Sequence, residues 1–141
     1  MSMSGAGFDE LAKAINEVLG LARSVREQVL DVVIPALPPA RRTFAEWLAR
    51  ELERDGIIVE SRLNDLDAFI DVLERAISAG THVGWEADEH HVQGGYTVVH
   101  CDEQARALLP VVVDLRKLGQ AIARVLDTAR AQSLAGTMTN D

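Results

Sequence analysis

The chain has 141 residues, 48% of them hydrophobic and 26% charged, with a formal net charge of -8. That length can close a hydrophobic core within one domain, and the composition is that of a globular chain rather than a disordered one. Residues 61–102 hold eight acids and two bases, so the acidity sits mid-chain and a phosphate backbone is repelled.

Aromatic residues make up only 4% of the chain, so the core must be aliphatic, which favours helix-on-helix packing over a β-sandwich. Residues 1–7 are small and polar and read as a flexible tail without a secretory signal. A first helix is expected from Phe8 or Asp9 to about Ile34, where Pro35 disfavours a helical predecessor. Its apolar stripe is Leu11, Ile15, Val18, Ala22, Val25, Val29 and Val32, spaced alternately four and three, which puts all seven on one face. Leu19, Leu21, Leu30 and Val33 broaden that face, as suits a bundle helix rather than a free two-stranded coiled coil. Gly20 marks a bend or a close approach. The segment Gly7 to Ala14 resembles the opening helix of some phage tail-completion proteins, a short stretch that implies nothing for the rest of the chain.

Pro35-Ala36-Leu37-Pro38-Pro39 is a stiff corner, followed by a second helix from Ala40 to Arg54 with Phe44, Trp47, Leu48 and Leu52 on one face. Ile57-Ile58-Val59 fits either a short strand or the approach to a third helix, Arg62 to Ser78. Gly94-Gly95, between His90-His91-Val92 and Tyr96-Thr97-Val98-Val99, predicts a β-hairpin over residues 88–101 with the glycines as its two-residue turn. In that register Gln93 faces Tyr96, His91 faces Val98 and Glu89 faces His100. A last helix begins near Asp102, or restarts at Pro110, and runs to about Gln132, leaving 133–141 as a tail. Its stripe is Leu108, Val112, Leu115, Gly119, Ile122, Leu126 and Ala129. The expected fold is mainly α: one domain over 1–141, a bundle of about four helices with one small hairpin before the last. Ala22 and Gly119, both small and both on the stripes, predict a close helix crossing at one or both of them.

Chemically able residues concentrate in the expected hairpin. Alternation there puts Asp88, His90 and Cys101 on one face and Glu89, His91 and His100 on the other, two sets of transition-metal donors. No CxxC, HxH or HExxH spacing supports either set, and a solvated polar hairpin explains the same residues. Cys101 has its neighbour His100 on the opposite face, so a cysteine–histidine nucleophile is not assembled and no catalytic residue is assigned. Asp67, Asp71 and Glu74 form one acidic stripe on the third helix, a docking face for a basic partner or simply the solvated back of an amphipathic helix. Trp85, after Gly84, is a contact anchor or a core lid.

These features favour a non-enzymatic interaction or assembly component, self-associating or docked in a larger complex. Two rivals are a metal-binding or metal-dependent enzyme centred on the hairpin, and a small regulatory partner of a basic protein. Nucleic acid and membrane are not expected partners, since Arg41-Arg42 and Arg116-Lys117 lack stacking aromatics and the apolar run Val29 to Leu37 is broken by Asp31 and Pro35. The single cysteine fits a reducing cytoplasm.

Overall fold

The computed structural model describes residues 5–54, 57–87 and 94–139. Helix α1 spans Gly5–Gln28 and runs on through a π-helical turn, Val29–Val33, into a last α-turn, Ile34–Ala36. A 3-10 turn, Pro39–Arg41, leads into α2 (Arg42–Glu51), followed by α3 (Glu60–Ala79). The strands β1 (Thr81–Ala87) and β2 (Gly95–Cys101) form an antiparallel hairpin ahead of the long α4 (Glu103–Thr139). The protein is thus mainly α, four helices with one hairpin before the last, as its periodicity predicts.

Helix α4 is the spine, packed along α1 and along α3, while α2 rests on the π-turn. One apolar cluster joins them. Val18, Val25, Val29 and Val33 meet Leu115, Leu118 and Ile122 of α4, and Leu66, Phe69 and Leu73 of α3, all at most 1% exposed. Phe69 stacks edge-on to Phe44 of α2, ring centroids 5.6 Å apart.

Several boundaries differ from expectation. The first helix does not stop at Pro35. In an α-helix its ring would strike the carbonyl four residues back, but the π-turn widens the path, with the Ile34 amide donating to the Val29 carbonyl five residues earlier. The extra residue in that turn also moves the buried stripe from Val32 to Val33, which is fully enclosed.

The last helix likewise runs through Pro110. Asp102 caps it: Oδ1 accepts from the Ala105 amide at 2.7 Å and the carbonyl from the Arg106 amide at 3.0 Å. Pro110 lies on the water-facing side, where solvent can take up the carbonyl that its missing amide leaves free. Because α4 touches two helices, Val111, Leu118, Ala121 and Val125 are buried too, and Gly119, Leu126 and Ala129 fall at the margin.

Residues 5–7 and 133–139, expected in flanking tails, continue α1 and α4. Gly7 is buried, and a Cβ there would collide with Gln132, so the two ends are packed together. Ile57-Ile58-Val59 is no strand: it is the approach to α3, with Ile57 buried and Val59 extended as the N-cap residue. The expected close crossing at Gly119 is absent, because a Cβ there would meet only Leu66 Cδ1, at 4.0 Å. Gly20 also faces open space.

The hairpin forms in a different register from the one its glycines suggest. Thr81 pairs with Cys101, His82 with His100, Val83 with Val99, Trp85 with Thr97 and Ala87 with Gly95. The first strand is therefore Thr81–Ala87, seven residues earlier than expected, and Gly95 belongs to β2 rather than to a two-residue turn. Alternation decides this. The earlier strand sets Val83 and Trp85 beside Val99 and Thr97, an apolar face that the later pairing cannot make.

Candidate functional site

The hairpin is an arm with little cover on either side. Its neck is closed by the Asp102 amide donating to the Gly80 carbonyl at 2.8 Å, and Gly80 has no room for a Cβ against the Asp102 carboxylate. Directly paired residues share a face, so one side of the arm carries Thr81, Val83, Trp85, Thr97, Val99 and Cys101. The other carries His82, Glu86, Tyr96, Val98 and His100, with the Tyr96 hydroxyl donating to Glu86 Oε2 at 3.2 Å and His100 Nε2 3.7 Å from Glu86 Oε1.

The apolar side faces water. Val83 is 70% exposed, Trp85 65% and Val99 60%. Trp85 lies across Gly95, where a Cβ would collide with the indole, so the glycine orients the ring while leaving most of it open. At the arm's base a hollow of about 430 Å³ is lined by Ile77, Thr81, Val83, Leu109 and Val112. Glu74 and Arg116 line it too, and also line a second groove of about 500 Å³ between α3 and α4. That groove has Leu66, Ile70, Leu115 and Gly119 along its floor and Asp67, Asp71 and Glu74 along its edge. The α3–α4 groove and the hollow at the arm's base thus adjoin at the Glu74–Arg116 ion pair.

The structure sets Asp67, Asp71 and Glu74 along one groove and Trp85 outside it, on the hairpin. Asp67, Asp71 and Glu74 border the groove, and Trp85 stands on the same sheet face as Val83, which lines the adjoining hollow. Glu74 pairs with Arg116 at 2.7 Å and Asp71 with Arg75 at 2.9 Å, whereas Asp67 faces no cation among the described residues. Exposure of Val83, Val99 and Leu109 had no sequence signal, since an apolar residue reads as core until its neighbours are known.

The metal sets fare differently. Asp88, Glu89, His90 and His91 lie outside the described residues. Cys101 and His100 sit at the base of the arm, on opposite faces, and the register that would align Cys101 with Asp88 and His90 is not the one formed. Cys101 Sγ lies 3.3 Å from Thr81 Oγ1 and is half-buried. Among the described residues no group of three His, Cys, Asp or Glu could hold a metal ion.

Sequence reasoning missed Arg62, the buried charged side chain among the described residues, which sits between Glu51, Asp65 and the face of Trp47. Among the described residues no helix is long and apolar enough to cross a membrane. No protein-family model, curated protein or solved structure matches the chain.

Proposed function

We propose that this chain is a non-enzymatic protein-interaction component that docks another protein on the apolar face of its hairpin. The carrying observation is the uncovered side of the arm, where Val83, Trp85 and Val99 are each more than half exposed. A two-stranded hairpin is marginal by itself in water, and a contiguous apolar patch rimmed by polar residues is the usual mark of a contact surface. Trp85, preset over Gly95, supplies the kind of aromatic anchor that dominates interface energetics at little ordering cost. The α3–α4 groove extends the surface, and its acidic edge favours a partner with basic residues there, which supports the regulatory reading as a variant of the same docking. A reducing compartment such as the cytoplasm suits the single thiol.

The test is a photo-crosslinking benzophenone residue placed at Val83 in the intact chain in cells. Covalent protein adducts are expected from Val83 and not from Glu10, on the exposed start of α1. A second copy in the adduct makes the chain self-associating, and another protein makes it part of a larger assembly. Equal yields from both positions, or none from Val83, would overturn the reading.

A further inference from the structure

Away from the hairpin, the seam between α1 and the segment after α2 holds a cleft of about 480 Å³. Leu19, Ala22, Leu52, Ile57 and Ile58 make it apolar, while Arg23, Arg26 and Arg54 stand around it with Glu53 as the acid among its described lining residues. Counting Glu51, which pairs with Arg54, three guanidinium groups stand against two carboxylates among the described residues, a local positive excess in a chain of net charge -8. Arg26 is paired with Glu53 and Arg54 with Glu51, but Arg23 has no carboxylate partner among the described residues. Leu19 is 51% exposed beside it, an apolar side chain and an unpaired cation one helical turn apart on α1.

We propose that this cleft binds a small amphiphilic carboxylate, its aliphatic chain along Leu19, Leu52 and Ile57 and its anionic head on Arg23 and Arg26. The size suits a small ligand, since such sites usually span about 300–1,000 Å³ with an apolar lining and a few polar groups to fix orientation. A helical protein segment fits less well. The groove continues past this cleft into a smaller hollow of about 220 Å³, but Arg26 and Glu53 line both, and their ion pair partitions the two. A planar guanidinium holds a carboxylate by two parallel hydrogen bonds, and Arg23, without a carboxylate partner among the described residues, has none to give up.

Isothermal titration of the full chain with sodium decanoate tests this, with decyltrimethylammonium and butyrate as the cationic and short-chain controls. Saturable one-to-one binding is expected for decanoate alone, weakening as salt is raised. Arg23→Glu, at an exposed unpaired position, should cost about tenfold or more in affinity, a loss of about 1.4 kcal/mol or more. Leu19→Asp should abolish binding, and circular dichroism should show both variants folded. The proposal fails if decanoate does not saturate, if the cationic amphiphile binds as well, or if folded Arg23→Glu binds unchanged. It is independent of the hairpin, so loss of one leaves the other standing.

Discussion

Arg62 carries a charge into the core, only 8% exposed, and the structure answers it with three partners. Nη1 donates to Asp65 at 2.9 Å, Nη2 to Glu51 at 3.1 Å, and the guanidinium lies 5.4 Å from the centre of the Trp47 ring, while Nε has no partner among the described residues. Breaking a buried pair by removing one side leaves charge uncompensated, and Glu51 and Asp65 keep some water contact that softens the loss. Arg62→Ala should therefore destabilise by about 2–3 kcal/mol in urea unfolding, and Arg62→Lys should recover little, because an ammonium cannot bridge both carboxylates in one plane. At the neck of the hairpin, Asp102→Ala should cost about 1 kcal/mol and Asp102→Asn much less, because the amide oxygen can still accept from Ala105. Spacing alone marked Asp102 as a helix start, but burial of Arg62 was not legible, because Glu51 and Trp47 reach it from a different helix.

Among the elements, the helices and the presence of a hairpin before the last of them were legible, but the hairpin's first strand and its register were not. Period-3.6 patterns locate α1 to α4 because each must bury one face, and the buried stripe departs from the pattern where the helix geometry or a second contact changes. The π-turn moves the stripe to Val33, and contact with two neighbours widens the buried face of α4. For the hairpin, Gly94-Gly95 gave a strong but misleading turn signal, and pairing was decided by side-chain alternation over seven residue pairs. Hydrogen exchange should show its amides opening at far lower free energy than those of Leu115 or Ile122, since little covers the arm. Gly119→Leu should shift stability by less than about 1 kcal/mol, because the added side chain enters the groove over Leu66 rather than a helix contact. A large loss of stability in that variant would restore the close crossing that the small residue suggested.

At the scale of the molecule, α4 holds the bundle together, so damage to its centre should spread to both sides. Leu115 is fully buried, and Leu115→Ala should cost about 2–5 kcal/mol. Helix content by circular dichroism and emission from Trp47 on α2 should fall together in that variant, and separate transitions would show that α1 and α3 do not share one core. The sequence by itself determined the fold class, the four helices and the aliphatic core, since these follow from local periodicity and composition. It also singled out Asp67, Asp71, Glu74 and Trp85. Only the tertiary structure set the three acids along one groove and Trp85 on the exposed arm, and only it left Val83 and Val99 uncovered. The physical reason is that burial belongs to pairs of elements. An apolar residue on a helix or strand demands a neighbour, and whether the chain itself supplies one depends on contacts between segments far apart in sequence.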